Sequence, residues 1–522
     1  MVTAFSMALN PRFGNVDSSY SDDLKAVSGI ITRVNPFSLA YGSSLQLLTD
    51  YYQLTMAYAS WKAKRQETPA VFSLYFRSNP FHGGYTVATG LQPACELMEN
   101  FRFTGEDIAF LAELKNQAGN ALFEKSFLSF LQTSRFRCDL DAVPEGTIVF
   151  PHEPIVRVRG PLWQCQWIES ALLNIINFQS LVATKASRMV QAAKGAEVIE
   201  MGLRRAQGID GALGAARASF IGGTSATSNL LAARQFGIPL RGTQAHSWVM
   251  SFDSELEAFE RYAEAFPADC VLLLDTYDTE VGIENAITVG KKLKAQGQDL
   301  VGVRLDSGDF AYLSRLARER LDRAGLTRTK TVASNELDEH LIQSLHLQEA
   351  QIDVWGVGTK LITAQDQPAM SGVYKLVAIY DGKYWVPKIK ISDQPAKISN
   401  PGIPRVRRYF NAQGGMEGDL IYDESEKPTL IRQIFDPVMP HRQKLIQKDW
   451  TSSELMEPIF SQGQLVYSHP SMNEIREKVK TGMQKLHPGH KRFENPHSYP
   501  VGLSPYLSQL KQDLVRKSQG QS

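Results

Sequence analysis

From about residue 196 to residue 364 the sequence repeats one unit about seven times: a short apolar run of β-formers, a polar or glycine-rich turn, then a helix pattern. The runs are AEVIEMGLRRAQG, ASFIGGTS, IPLRGTQAHS, VLLLDTYDTE, LVGVRLDSGD, KTVASNELDE and DVWGVGTK. Helix patterns such as SNLLAARQFG, GIENAITVGKKLKAQG and DFAYLSRLARERLDRAG separate them. Apolar runs that do not alternate suit strands covered on both faces, and strand–turn–helix units in series build parallel sheets. The expected fold class is therefore α/β, an irregular (β/α) barrel, with a doubly wound open sheet as the competing arrangement.

The flanks have a different texture. LQLLTDYYQLTMAYASWKAKR has helical spacing, with Thr49 or Asp50 as N-cap, and VFSLYFRSNP reads as a strand stopped at Pro80. CDLDAVPEGTIVFPHEPIVRVRGP reads as short strands separated by proline and glycine, so residues from about 45 to 165 mix helix with antiparallel strand. Beyond residue 364, YKLVAIYDGKYWVPKIKIS reads as a hairpin turning at Asp381-Gly382, RVRRYF and DLIYDE as strands, and residues from about 445 onward as mainly helical. Residues 1–42 show no firm period and are taken as an extension of uncertain order. A length of 522 residues accommodates about two to four domains.

Composition removes several classes. Lys+Arg is 56 and Asp+Glu is 55, for a net charge of +1, which argues against a strongly basic nucleic-acid binder. The cysteines at 95, 138, 165 and 270 include no CxxC pair, so neither a zinc site nor a thioredoxin-like motif is expected. No stretch reaches the roughly 20 apolar residues of a membrane span, and the N-terminus lacks a signal-peptide pattern. The expectation is a cytoplasmic protein without nucleic-acid or membrane partners.

In a parallel barrel the turns after the strands share one face, and chemistry collects there. These turns offer Arg204 and Arg205; Thr243 and His246; Asp275 and Asp278; Arg304, Asp306, Ser307 and Asp309; Ser334 and Asn335; and Gly356, Gly358 and Thr359. Glycine-rich turns entering helices expose N–H groups to phosphate, arginines pair with phosphate or carboxylate, and strand-end carboxylates hold Mg²⁺ together with phosphate oxygens. The set suits a phosphorylated sugar or diphosphate. No GxxxxGK[ST] or GxGxxG is present. Singly, each group could serve structure alone, Asp309 above all as a helix N-terminal acid; their shared face carries the functional reading.

LLTDYYQLTMAYA, FSLYFRSNP, GLRRAQGIDG, GTQAHSWVMSF, LLLDTYDT, GVRLDSGD, SNELDE, GVGTKLIT, YKLVAI and NPHSYPVGLS together resemble the nicotinate phosphoribosyltransferase family, from about residue 43 to the end. The resemblance implies an irregular barrel of the type II phosphoribosyltransferase kind over 166–364. It implies a discontinuous α+β domain over 43–165 and 365–444, and a C-terminal region over 445–522. It also implies a homodimer in which an N-terminal segment of one subunit completes the partner's site. The implied reaction joins nicotinate to 5-phosphoribosyl 1-diphosphate, giving nicotinate mononucleotide and diphosphate. It is coupled to ATP hydrolysis, is formally that of a carbon–nitrogen ligase, and is the first step of NAD salvage from nicotinate.

By matching motifs, Tyr52 resembles the tyrosine that stacks on the pyridine ring and Thr243 a nicotinate-contacting residue. His246 resembles the histidine phosphorylated by ATP, Arg304 a substrate-binding arginine, and Asp306 a Mg²⁺ or ribose ligand, with Asp275 as the parallel metal candidate. Gly356, Gly358 and Thr359 resemble a phosphate-binding turn, and Arg205, more than Arg204, an assisting cation. A nicotinamide-using relative has an acid after the Gly-Thr of the second strand end; here Ser225 stands there, which favours the acid substrate. A quinolinate-using enzyme and a catalytically silent protein of the same fold compete less strongly with this reading.

Overall fold

The computed structural model describes residues 44–519 of the chain, so the extension over 1–42 lies outside the described residues. Six parallel strands form the sheet at the centre: Glu197–Glu200, Ala226–Thr227, Val271–Leu273, Gly302–Leu305, Lys330–Ser334 and Val354–Val357. Each pairs with its sequence neighbour except across the third run, and Glu197–Glu200, the first strand, pairs with Val354–Val357, the last. That first-to-last pairing curls the sheet into a barrel and excludes the doubly wound order. IPLRGTQAH, the third run, contributes only one parallel bridge, Thr227 to Leu240. Pro239 lacks an N–H and cannot extend a ladder. The barrel is therefore irregular, with its seam between Leu240 and Val271–Leu273.

Ile199, Ala226, Val332 and Val354, one from each of four strands, pack with Met201 and Val271 to fill the barrel interior. The outward residues pack against the helices. Four turns end in a side-chain N-cap: Asn229 on Leu230–Phe236, Asp278 on Thr279–Ala295, Asp309 on Phe310–Arg323 and Asp338 on Glu339–Leu347. Two helices, Leu162–Trp167 and Glu169–Ala192, follow one another into the barrel with Ile168 between them.

The segments outside the barrel form two larger sheets and a two-stranded one, Thr86–Val87 with Ile148–Val149. Pro69–Phe76 pairs with Gly372–Tyr380 on one side and Val156–Pro161 on the other, uniting N-terminal and later chain in one antiparallel sheet. The hairpin at Asp381-Gly382 forms, with Gly382 at φ 101. The second sheet joins Pro404–Phe410, Met416–Asp423, Gln433–Phe435, Gln443–Leu445, Thr451–Glu454 and Val501–Leu503. Residues 365–444 are thus shared between two sheets. The region over 445–522 contains the helices Met472–Lys485 and Pro505–Ser518 but is not a separate helical unit. Thr451–Glu454 pairs with Pro404–Phe410, and Glu457–Ser461 with Asp139–Ala142. Strands this short and without clear alternation carry weak sequence signals, and the open edges of both sheets capture them.

Candidate active site

The C-terminal ends of the barrel strands gather Thr243, His246, Asp275, Arg304, Asp306 and Ser334. In both acidic turns, DTYD and DSGD, the second aspartate caps the following helix: Asp278 accepts from Val281 N–H at 3.0 Å and Asp309 from Tyr312 N–H at 3.0 Å. The first aspartate of each turn, Asp275 and Asp306, is left to face the barrel mouth. Gly308, at φ 82, allows the second turn to fold this tightly.

Arg304 organises the site. Its Nη1 donates to Thr243 Oγ1 at 2.7 Å and to the Gln244 carbonyl at 3.4 Å, its Nε donates to Ser334 Oγ at 2.8 Å, and its Nη2 donates to Asp306 Oδ1 at 2.7 Å. The Ser334 hydroxyl donates in turn to Asp306 Oδ1. Burial pushes the Asp306 carboxyl up, but the Arg304 guanidinium and the Ser334 hydroxyl outweigh it and hold the group below the ordinary carboxylate range. His246, at the start of the short helix His246–Val249, sets Nδ1 3.2 Å from Thr276 Oγ1 and Nε2 3.6 Å from Asp306 Oδ2.

Asp275 Oδ2 accepts from Asp306 N–H at 2.9 Å and from the Ser307 hydroxyl at 2.6 Å, while Asp275 Oδ1 is buried without a partner. Two adjacent carboxylates, one with an orphaned oxygen, are a hard-oxygen donor set that fits Mg²⁺ completed by phosphate oxygens and water. Among the described residues no group of three His, Cys, Asp or Glu side chains is arranged to hold a metal ion by itself.

Other expected residues stand outside the Arg304 hydrogen-bond network. Gly356 is a strand residue level with Ser334; a Cβ there would stand 2.9 Å from Met201 Sδ and 3.2 Å from Ser334 Cβ, so close packing accounts for the glycine. Gly358 precedes the Thr359–Ile362 turn, and the Thr359 hydroxyl donates to Glu336 Oε1 at 2.9 Å. Arg204 and Arg205 are exposed at the barrel mouth on the Leu203–Arg205 turn.

Ser225 requires correction: it precedes the Ala226–Thr227 strand rather than following it. Its amide and hydroxyl both donate to the Val198 carbonyl, at 2.8 and 3.2 Å, which holds it outside the Arg304 cluster. Tyr52 lies on the exposed face of Tyr51–Lys62, where partial burial and the charges of Glu169 and Asp50 raise its phenol above the ordinary range against hydrogen bonds with Gln53 and Ser170. None of the hydrogen bonds or ion pairs of the Arg304 cluster involves Tyr52 of the same chain.

Sequence reasoning missed the linking groups. Ser334 was visible as a strand-end hydroxyl, but nothing in one dimension ties it to Arg304 and Asp306. Glu200, 1% exposed, accepts from the Thr227 hydroxyl at 2.5 Å and from Gly202 N–H; burial raises its pKa, and these hydrogen bonds only moderate the rise. A glutamate at the end of a buried strand was the available signal.

Residues 47–177 match the nicotinate phosphoribosyltransferase (NAPRTase) N-terminal domain, 196–430 the nicotinate phosphoribosyltransferase (NAPRTase) family, and 404–511 the nicotinate phosphoribosyltransferase C-terminal domain. A nicotinate phosphoribosyltransferase of Bacillus subtilis is 45% identical over 474 residues, covering 89% of this chain and 95% of that protein. One of Dictyostelium discoideum is 36% identical over 548 residues, covering 94% of this chain and 89% of the other. The crystal structure of human nicotinic acid phosphoribosyltransferase superposes with a TM-score of 0.77 at 31% identity, covering 90% of this chain and all of that one. The nicotinate-nucleotide pyrophosphorylase of Pyrococcus furiosus, at TM-score 0.65 and 23% identity over 87% of this chain and 97% of that one, shares the fold. The fold is the irregular α/β barrel of the type II phosphoribosyltransferases. The chain belongs to the nicotinate phosphoribosyltransferase family.

Proposed function

We propose that this chain transfers the phosphoribosyl group of 5-phosphoribosyl 1-diphosphate to nicotinate, coupled to ATP hydrolysis through phosphorylation of His246. The observation that carries the reading is the Arg304 hub, which holds two hydroxyls and the Asp306 carboxylate at one barrel mouth, with the His246 imidazole beside that carboxylate. In the transfer the pyridine nitrogen attacks ribose C1 with its lone pair, the C1–O bond to diphosphate breaks, and diphosphate leaves with the bonding pair. C1 gains oxocarbenium character, as in glycoside chemistry. Arg304 and Thr243 orient the pyridine. Mg²⁺, held by Asp275 and Asp306 with phosphate oxygens, would neutralise charge on the leaving diphosphate.

His246 has one ring nitrogen beside the Thr276 hydroxyl and the other facing Asp306. A neutral imidazole nitrogen can attack the γ-phosphorus of ATP and release ADP; water later hydrolyses the phosphohistidine to phosphate. The phosphoryl group adds negative charge at the site and ties ATP use to the affinity for the phosphoribosyl substrate.

Completion of the site by a second subunit is part of the same reading. Leu203, Leu230, Leu240, Met250 and Tyr277 are exposed around the barrel mouth, and Leu48, Tyr51 and Tyr52 on the N-terminal segment. Apolar side chains exposed in both places suit mutual cover in a homodimer that brings Tyr52 onto the partner's pyridine. No helix among the described residues is long and apolar enough to cross a membrane; a cytoplasmic location belongs to the same proposal. The test compares nicotinate with nicotinamide, each with and without ATP, following mononucleotide and ADP together. Preferred use of nicotinate with ATP-stimulated synthesis is expected; equal use of the two pyridines, or no ADP with nicotinate, refutes the reading.

A further inference from the structure

Gln244 is the only side-chain amide among the described residues that is buried with neither polar atom partnered: both Nε2 and Oε1 lack a hydrogen bond. The residue is only 6% exposed. A buried amide left unpaired is costly, so such groups ordinarily meet a protein atom, a water or a ligand. The backbone of Gln244 is rooted at the centre of the site. Its carbonyl accepts from the Thr243 hydroxyl at 3.2 Å and from Arg304 Nη1 at 3.4 Å, and His246 follows two residues later. The candidate first expected to read the ring substituent, Ser225, is instead held by the Val198 carbonyl.

We propose that the Gln244 side-chain amide is a specificity-determining group that binds the substituent on the pyridine ring, alongside Arg304 and Thr243. The assignment rests on the transfer reaction proposed above. An amide presents one acceptor and one donor pair, and a neutral N–H donor satisfies a carboxylate oxygen without adding charge. The Arg304 guanidinium supplies the positive charge that favours the acid; Gln244 supplies directional contact and, being neutral, does not oppose it. A carboxylate at the same place would repel the nicotinate carboxylate and accept from a carboxamide N–H instead.

The test uses the full-length enzyme and two near-isosteric substitutions. Gln244→Met keeps the volume and removes the polar atoms. The KM for nicotinate rises about tenfold, the effect of one lost hydrogen bond to a charged group, while the KM for 5-phosphoribosyl 1-diphosphate stays within about twofold. Removing an amide that is unsatisfied in the free protein leaves Tm equal to or above wild type. Gln244→Glu lowers the ratio of kcat/KM for nicotinate to that for nicotinamide by at least about tenfold. An unchanged nicotinate KM in Gln244→Met overturns the proposal whatever Tm does, and a fall in Tm would then identify an amide satisfied by water or protein. Equal rises in both KM values also overturn it, since they mark a general disturbance. Wild-type enzyme that forms no mononucleotide from either pyridine refutes the transfer reaction instead; calorimetric binding of nicotinate to wild type and Gln244→Met still reads the contact.

Discussion

Arg304 Nη1 donates to Thr243 Oγ1 at 2.7 Å, joining residues 61 apart in the chain across the seam where the barrel sheet does not close. The guanidinium replaces the missing ladder hydrogen bonds at that side of the mouth. Through Ser334 and Asp306 it also ties the seam to the Lys330–Ser334 strand. One side chain therefore shapes the site and sets its charge.

Arg304→Lys should fail as a conservative change. Lysine is a point charge without the planar fork and cannot serve Thr243, Ser334 and Asp306 together. A fall in kcat/KM of at least about 100-fold is expected, on the order of 3 kcal/mol of transition-state binding, with the circular dichroism spectrum retained. A loss below about fivefold would show that charge alone suffices.

Ser334→Ala removes the hydroxyl that accepts from Arg304 and donates to Asp306. The expected result is a several-fold rise in the Mg²⁺ concentration for half-maximal rate and a stability loss of about 1 kcal/mol. Ser334→Thr should restore much of the Mg²⁺ response. Mg²⁺ titrations that superpose on wild type would count against a link between this hydroxyl and the carboxylate.

His246→Ala should abolish nicotinate-stimulated ATP hydrolysis and leave weak, ATP-independent mononucleotide synthesis at high 5-phosphoribosyl 1-diphosphate. Acid-labile, base-stable label from γ-labelled ATP should appear on wild type and vanish in the variant. Continued ATP stimulation in the variant would assign the phosphoryl acceptor elsewhere.

Tyr52→Ala and Asp306→Asn, each inactive alone, should complement when their subunits exchange, because Tyr52 has no part in the hydrogen bonds and ion pairs of the Arg304 cluster of its own chain. Activity that never exceeds the sum of the parents, with exchange proven by mass spectrometry, would place a complete site within one subunit.

Stability should depend on pH through His152. Burial, helped by Lys511, lowers this imidazole to about 4, against an ordinary value of 6.5. In the unfolded chain the group takes up a proton below about 6.5, while the folded state resists until about 4. Unfolding free energy should therefore fall as pH drops from about 6.5 to about 4, by up to roughly 3 kcal/mol from this group, and its contribution should be constant outside that window. Asn tolerates the left-handed backbone here, φ 71, so His152→Asn should flatten the dependence in chemical-denaturation curves at several pH values. An unchanged slope would assign it to other groups.

Much of the architecture is written locally. Four of the barrel units carry turn and cap close together in sequence: Asn229, Asp278, Asp309 and Asp338 cap the helices that follow them. Backbone geometry and short-range hydrogen bonds set these features, so they are legible in one dimension, as is the gathering of Thr243, His246, Asp275, Arg304 and Asp306 at strand ends. The tertiary structure decided the rest. The register of a two-residue strand put Ser225 on the wrong side of the mouth, because parallel pairing to Glu197–Glu200, not the strand's own sequence, sets where it begins. Close approach of Met201 and Ser334, contributed by two other parts of the barrel, requires Gly356 to lack a side chain. The strands after residue 445 joined two distant sheets because open edges, not local propensity, selected them. The roles of Ser334 and Gln244 likewise arise only when strands remote in sequence lie a few ångströms apart, since hydrogen-bond satisfaction and burial are properties of the packed molecule.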